Sequence, residues 1–391
     1  MTLWDRYVFR RGAEVQDMWD QMFQQRRIAD KGVRLLYVGG RGFDLRAQAV
    51  MDRFIGSIKS SGCMVEKAEL LLVGFSGYQL SDELRDETTA NATALESKFS
   101  AIGTARTVMI GSSAEGEDDL SASNALRMGT EEVLRAVNDQ TDIVLDVSSL
   151  PRIAYLSLML ALLQRLVPNR DEPVPLAASG INLQILVGED ADLDSKIQSE
   201  DPSNELVLIP GFASALQTES TRDWPLVWFP VLGENRVSQL QKVMDDLIPT
   251  SAEICPVLPH PSREPRRGDR LLIEYKGPLF DARETPLTNV LYAHESNPFE
   301  AYRQLLGAMK RYKRSLSVIG GCRLVVTPLA SKLITLGAAL ACYEMKLDIV
   351  NGDYGVAIPY AEPKRYVISV AALRASKPDV TAIVLTGEAY A

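Results

Sequence analysis

A repeated alternation of short apolar runs with helical segments constrains the fold of this chain more than any other feature. Each run ends at Gly or Ser, and most are followed by a segment with helical spacing. The runs of the first half are Arg34–Val38, Leu70–Val73, Thr107–Ile110, Asp142–Val147 and Leu183–Val187. This pattern is typical of a parallel sheet covered by helices on both faces.

The alternation resumes after an acidic, proline-containing stretch. The predicted strands of the second half are Leu226–Pro230, Glu253–Pro256, Asn289–Ala293, Arg323–Thr327, Val356–Tyr360 and Val367–Val370. A length of 391 residues also fits two domains better than one. We therefore predict an α/β protein with two tandem Rossmann-like parallel-sheet domains, at residues 33–190 and 223–391, joined by a connector at residues 191–222.

Residues 1–32 form a polar lead-in with one apolar stripe. Trp19, Met22 and Phe23 are spaced at i, i+3 and i+4, which indicates a helix with an apolar face. We interpret the segment as an N-terminal docking helix.

Composition excludes several classes of function. A net charge of −9 argues against general nucleic-acid binding, which needs a basic surface. The chain has two histidines and four cysteines without a CxxC pair, so we expect no metal site, and we assign no cofactor. The first residues lack the apolar core of a signal peptide, and no apolar run is long enough to span a membrane. We therefore predict a cytoplasmic protein with no membrane partner.

The two halves carry a matching strand-turn-helix segment. When IVLDVSSLPRIAYLSLMLALL is laid on RLVVTPLASKLITLGAALACY without a gap, Arg152 falls on Lys332 and Ser149 falls on Leu329. Structural duplication is one interpretation, and chance similarity between two such units is the other. Open α/β sheets bind ligands outside the carboxyl ends of their strands. Duplication therefore predicts a ligand across the carboxyl edges of both sheets.

Three loops carry residues suited to an anionic ligand. The candidate ligand-binding residues of the first loop are Gly39, Gly40, Arg41, Asp44 and Arg46. Glycine lets backbone N–H groups approach a ligand, and a helix start favours negative charge. The loop lacks the third glycine of the dinucleotide fingerprint and is not a Walker A loop. A tight turn with an Asp cap and a surface Arg is the alternative.

The other two loops lie in the matched segments. Their candidate ligand-binding residues are Ser148, Ser149 and Arg152 in one loop and Thr327, Ser331 and Lys332 in the other. Hydroxyl groups donate hydrogen bonds and cap helices, and an arginine pairs with phosphate in a bidentate contact. The alternative for the first of these loops is a helix cap, with the arginine paired to Asp146 or to solvent.

For two further segments a structural interpretation is favoured over a functional one. Leu271–Lys276 is predicted as a strand with the Glu-x-Lys of metal-dependent nucleases, but it lacks the upstream acidic ligand, so a solvated strand edge is favoured. The nearby Arg263, Arg266 and Arg267 form either a phosphate lip or a solvated loop, and the loop is favoured.

Two tandem Rossmann-like units, each with a Ser/Thr turn and then a cation at a helix start, resemble the CARF and SAVED sensor domains of prokaryotic immunity. CARF proteins carry a Thr-Gly-Gly-x-Lys type turn at this place, and SAVED domains are two fused CARF-like units. TPLASK at 327–332 and SSLPR at 148–152 occupy the comparable positions, without the two glycines. The resemblance covers residues 33–370 by architecture. It implies recognition of a cyclic oligonucleotide or related nucleotide signal in antiviral defence, with the effect delivered by a partner protein.

The leading hypothesis is a sensor or complex subunit that binds a nucleotide-like small molecule. Its expected partners are other proteins of the same operon, and self-association into a homo-oligomer is left open. The first alternative is a Rossmann-type enzyme acting on a nucleotide or sugar phosphate, with Asp44 or Asp146 as acid/base. The second is a structural assembly subunit. Catalytic residues are not assigned.

Overall fold

The computed structural model describes residues 2–111, 122–203, 205–348 and 355–391. The chain divides into two units. Unit 1 combines Leu3–Gln198 with Arg365–Ala391, and unit 2 is Ser199–Lys364. No helix in the described residues has both the length and the apolar character needed to cross a membrane.

Unit 2 is an insertion in unit 1. Residues 365–391 belong to unit 1, so the predicted second domain of residues 223–391 is wrong at its C-terminal end. The reason is that the last strand of the chain pairs in the first sheet. Residues 191–222, interpreted as a connector, contain short helices and strands.

The elements fall into three consecutive segments. The first contains β1 (Val8–Arg11), α1 (Ala13–Ile28), β2 (Val33–Gly40), α2 (Arg46–Ser61), β3 (Val65–Phe75), α3 (Asp82–Phe99), β4 (Thr104–Ile110), α4 (Ala122–Arg135), β5 (Asp142–Asp146), α5 (Arg152–Leu166), β6 (Asn182–Glu189) and α6 (Ala191–Lys196). The second contains β7 (Gln198–Pro202), β8 (Val207–Leu208), α7 (Ser214–Gln217), β9 (Leu226–Val231), α8 (Val237–Leu247), β10 (Glu253–Ile254), β11 (Val257–Pro259), α9 (Arg267–Glu274), β12 (Leu291–Ala293), α10 (Pro298–Leu316), β13 (Arg323–Pro328), α11 (Lys332–Leu347), β14 (Val356–Ala357) and β15 (Pro359–Tyr360). The last contains β16 (Pro363–Val367), α12 (Val370–Ala375) and β17 (Asp379–Thr386).

The main sheet of unit 1 has the order β1-β17-β6-β5-β2-β3-β4. The strands from β2 to β6 are parallel, and their order counted from β2 is 3-2-1-4-5. This is the order of a Rossmann-like sheet. Strands β2, β5 and β6 are largely buried, as expected for strands covered on both faces, whereas the edge strand β4 is mostly exposed. The predicted Rossmann-like fold of this half is confirmed.

Two antiparallel strands extend this sheet beyond β6. In β17, Ile383 is level with Ile185 of β6 on one side and with Phe9 of β1 on the other. The run Val380–Leu385 is buried. Strand β17 is absent from the strands predicted from the sequence, although its β-branched, apolar residues are typical of a strand.

Helix α1 belongs to the core of unit 1. Trp19 and Phe23 are fully buried and pack edge-on against Phe54 of α2, with ring centroids 5.1 and 5.9 Å away. The Trp19 indole N–H also donates to Gln184 of β6 (2.9 Å). The prediction of a docking helix is corrected here, because the apolar stripe on which it rested is covered by the unit's own residues.

The main sheet of unit 2 has the order β12-β11-β9-β13-β14, and β10 also pairs with β9. All these pairs are parallel, with Val325 of β13 level with Trp228 of β9. Counted from β9, with β11 as the second strand, the order is again 3-2-1-4-5. The second half is therefore also Rossmann-like, and the predicted α/β fold with two such units is confirmed.

Two predicted strands of the second half are wrong. Leu271–Lys276 lies mostly in α9, because the buried Leu271 and Tyr275 follow helical spacing. Val367–Val370 spans the end of β16 and the start of α12. Ser369 separates the two, and its side chain caps α12 by accepting the Ala372 N–H.

Candidate functional site

In each main sheet the strand order reverses beside the strand from which it is counted, β2 in unit 1 and β9 in unit 2, and open α/β sheets bind ligands at such a reversal. This switch point lies between β2 and β5 in unit 1 and between β9 and β13 in unit 2. The carboxyl edge of unit 1 carries Gly39, Gly40, Arg41, Asp44, Arg46, Ser148, Ser149 and Arg152. The carboxyl edge of unit 2 carries Thr327, Ser331 and Lys332. The structure thus gathers the predicted residues of each half at one switch point.

The loops that follow β2 and β5 are in direct backbone contact. A Cβ atom on Gly40 would lie 2.5 Å from the Ser149 carbonyl oxygen, and one on Gly42 would lie 2.6 Å from it. The Ser149 hydroxyl donates a hydrogen bond to the Gly40 carbonyl oxygen (2.8 Å). These glycines therefore permit the close approach of the two loops, and Ser149 joins them.

Unit 2 repeats this contact at the residue that the gapless alignment matches. A Cβ atom on Gly233, in the loop after β9, would collide with the carbonyl oxygen of Leu329. Leu329 is the residue aligned with Ser149. The aligned cations Arg152 and Lys332 are the first residues of α5 and α11, and both are partly exposed. The common strand order and the common loop contact support structural duplication.

Arg46 is held by carboxylates of unit 1. Its guanidinium contacts both oxygens of Asp44 through Nε (2.9 and 3.1 Å) and reaches Asp194 through Nη1 (2.7 Å). Burial lowers the pKa of Arg46, but the two carboxylates outweigh burial and leave the pKa above its usual value. The side chain is almost fully buried. Arg46 therefore fixes the start of α2, and its guanidinium is occupied by protein groups.

Asp146 and Ser148 organise the loop after β5. The Asp146 carboxylate accepts the Tyr37 hydroxyl (2.9 Å) and the Ser148 N–H (2.9 Å). Burial raises the pKa of Tyr37, and the charge of Asp146 raises it further. The Ser148 hydroxyl accepts the Gly188 N–H (2.8 Å). Both residues are buried, so they hold the loop at the switch point in place from the interior of the unit.

Thr327 has a similar position in unit 2. Its buried hydroxyl accepts the indole N–H of Trp228 (2.9 Å), which lies on the neighbouring strand β9. The bond fixes the end of β13 against β9, close to the start of α11.

Two polar atoms at the switch point of unit 2 are shielded from solvent without a hydrogen-bond partner among the described residues. They are Oγ of Ser331 and Nη1 of Arg236. Ser331 precedes α11, and Arg236 precedes α8. Ser331 stands at the N-cap of α11 but makes no side-chain cap bond in the described structure. Arg236 is not among the candidate residues predicted from the sequence, although it follows β9 as Arg46 follows β2.

A second charged cluster lies at the same edge of unit 2. Arg267, at the start of α9, contacts Glu234 (Nη2 to Oε2, 2.7 Å) and Glu295. Burial raises the pKa of Glu234, but the bond and charge of Arg267 outweigh it and bring the pKa below its usual value. Arg267 thus joins the loops that follow β9, β11 and β12. It is neither a phosphate lip nor a freely solvated residue, whereas Arg263 and Arg266 are exposed.

The remaining chemistry of the described residues is limited. They contain no group of three or more His, Cys, Asp or Glu side chains placed to hold a metal ion. All four cysteines are buried and free.

No protein-family model matches the chain, and no curated protein matches its sequence.

Proposed function

We propose that this protein binds an anionic, nucleotide-like ligand at the carboxyl edges of its Rossmann-like units. The supporting observation is the pair of shielded polar atoms at the switch point of unit 2, Ser331 Oγ and Arg236 Nη1. A buried polar atom without a partner costs about 1–3 kcal/mol, so a ligand atom that pairs with it would be stabilised there. A phosphate oxygen accepts hydrogen bonds from a hydroxyl and from a guanidinium.

The start of α11 adds to this attraction for an anion. The first N–H groups of a helix point outward and carry partial positive charge. In α11 the Ser331 hydroxyl does not cap them. Lys332, the first residue of the helix, adds a full positive charge at the partly exposed edge. A phosphate group suits this combination of donors.

Unit 1 offers a related arrangement with different details. Its glycine-rich loop presents Arg41, which is partly exposed, and α5 begins with Arg152. Asp44, Arg46, Asp146 and Ser148 serve as supports, because protein groups occupy them. We therefore assign ligand contact in unit 1 to the loop backbone, Arg41 and Arg152.

The resemblance to CARF and SAVED domains extends the proposal to a biological setting. In that setting the ligand is a cyclic oligonucleotide, and the protein is a sensor or complex subunit of a prokaryotic antiviral defence system. A partner protein then delivers the effect. The enzyme alternative is disfavoured for Asp44 and Asp146, since Arg46 engages one carboxylate and Tyr37 and a backbone N–H engage the other.

Equilibrium binding of radiolabelled cyclic tri- and tetra-adenylate tests the proposal. Ser331→Ala and Lys332→Ala should each weaken binding about 5- to 150-fold, the loss of one phosphate contact. Arg314→Ala is the matched control, since Arg314 is exposed in the last turn of α10, at the opposite edge of the sheet. The bound ligand should be recovered intact by mass spectrometry. Absence of binding, or an equal loss in the control variant, would contradict the proposal.

A further inference from the structure

Four aromatic side chains of unit 1 form a chain of ring contacts that the anion sites do not use. Phe75 contacts Tyr78 (centroids 6.1 Å apart), Tyr78 contacts Tyr366 (5.2 Å), and Tyr366 contacts Phe43 (6.0 Å). All four rings are partly exposed. They come from the loop after β2, the end of β3, the loop after β3, and β16.

This aromatic cluster lies at the carboxyl edge of the unit 1 sheet. Phe75 is the last residue of β3, and Phe43 follows the carboxyl end of β2 by three residues. A parallel bridge between Gln79 and Arg365 brings β16 to this edge. The cluster is therefore on the ligand-binding side of a Rossmann-like sheet.

Arg41 occupies the same edge. Its backbone N–H donates to the Val73 carbonyl oxygen (2.9 Å), which joins the glycine-rich loop to β3. Its Cβ lies 3.6 Å from the position that a Cβ would take on Gly74, the neighbour of Phe75. Arg41 is partly exposed and lies two residues before Phe43, on the loop already assigned to the ligand, whereas Phe75 projects from the sheet face opposite to that of Gly74.

One ring of the aromatic cluster also packs against buried leucines of unit 1. Phe43 packs against the small buried cluster of Leu84, Leu193 and Leu373. Aromatic residues make up 7% of the chain, so four half-exposed rings in contact at one sheet edge are a concentrated feature.

We propose that the aromatic cluster is a stacking site for a nucleobase, with Arg41 facing the attached phosphate or sugar. Proteins hold unpaired bases on tyrosine and phenylalanine rings, and arginine commonly accompanies them. The inference deepens the proposed function, on which it rests, because it names the part of the ligand that unit 1 recognises. It adds a site for a planar, uncharged group to the anion sites.

The test uses 2-aminopurine riboside, a fluorescent nucleoside without phosphate, and the full chain. Stacking should quench the fluorescence of the nucleoside on titration with protein. Tyr78→Leu and Tyr366→Leu keep apolar volume but remove a ring, and each should weaken binding about tenfold. Tyr78→Phe should stay within about twofold of the wild type, because it keeps the ring.

Tyr292→Leu is the matched control, because Tyr292 is an exposed tyrosine of unit 2. It should leave the titration unchanged. Thermal denaturation of each variant separates loss of binding from loss of folding, and Tyr366→Leu, on a different element, covers the case in which Tyr78→Leu fails to fold. Absence of quenching by the wild type, or an equal affinity of a folded Leu variant, would overturn the inference.

The outcomes separate the two proposals. In one outcome the cyclic adenylates bind, Ser331→Ala lowers their affinity, and the protein does not quench the fluorescence of the nucleoside. The stacking site is then refuted and the anion site stands. If the nucleoside binds through Tyr78 but the cyclic adenylates do not bind, the stacking site stands and the proposed ligand class is refuted.

Discussion

A side chain on Gly40 would collide with the backbone of Ser149, because its Cβ atom would lie 2.5 Å from the Ser149 carbonyl oxygen. The Leu150 nitrogen would lie at 2.8 Å from the same atom. Both are backbone atoms, so rotation of a side chain cannot relieve the contact. Gly40 is also level with Val73 in the sheet, which prevents it from moving away on its own. The junction of the two loops thus depends on glycine.

Gly40→Ala should therefore lower the free energy of unfolding by about 1–3 kcal/mol, the usual effect of an overpacked site. Gly56→Ala in α2 is the control, since a Cβ there would meet nothing within 4 Å. It should raise stability by up to about 1 kcal/mol through helix propensity. Urea denaturation followed by circular dichroism measures both. Equal midpoints for the two variants would show that the loops tolerate a side chain.

Arg46→Met should destabilise the protein by about 3–5 kcal/mol, because it leaves the buried Asp44 carboxylate without its arginine. Adding Asp44→Asn should restore part of the loss, since the charge is then removed. Arg53→Met, on the exposed side of the same helix, should change stability by less than about 0.5 kcal/mol. Chemical denaturation of the four proteins checks the prediction, which fails if Arg46→Met behaves as Arg53→Met does.

Thr327→Val should cost about 1–3 kcal/mol, because the buried indole N–H of Trp228 loses its acceptor. Thr327→Ser keeps the hydroxyl and should lie closer to the wild type. Thermal denaturation gives the stabilities, and tryptophan fluorescence reports the change around the indole. If valine and serine have the same effect, the hydroxyl does not accept this bond.

The ion pair of Glu234 with Arg267 predicts a dependence of stability on pH. The folded protein holds the pKa of Glu234 below its usual value of about 4.3. The stabilisation is therefore complete above that value and is lost as the pH falls through the lowered pKa. Glu234→Gln should be less stable than the wild type at neutral pH, and the difference should shrink on acidification below about pH 4. The midpoints of urea denaturation across this pH range measure the difference in stability. If the midpoints of the two proteins change with pH in parallel, the role of the ion pair is refuted.

Local patterns were sufficient to predict most strands and the loops that carry the candidate residues. The runs that became β2, β5 and β13 are short and apolar and are followed by Gly, Ser or Pro, and the run that became β9 ends in Pro, so local sequence is enough to predict these strands. The candidate cations Arg152 and Lys332 were found because helix starts follow such strands directly.

Contacts between residues that lie far apart in the sequence could not be predicted from local patterns. Asp194 engages Arg46 although 148 residues separate them, and no local pattern marks that contact. Glu234 and Glu295 meet Arg267 because three strand ends converge at one sheet edge. The place of β17 depends on which sheet edge is open, a property of the folded unit and not of the run Asp379–Thr386 itself.

The insertion of unit 2 has a consequence for biosynthesis. Strand β6 leaves the ribosome long before its neighbour β17, at a delay of roughly 10 to 40 s at common translation rates. During that interval the nascent sheet has no partner for the exposed edge of β6, and β1, which pairs only with β17 in this sheet, has nothing to join. Unpaired edges of this kind promote aggregation. Expression of this protein should therefore respond to chaperone supply and to synonymous codons that slow synthesis within the inserted unit.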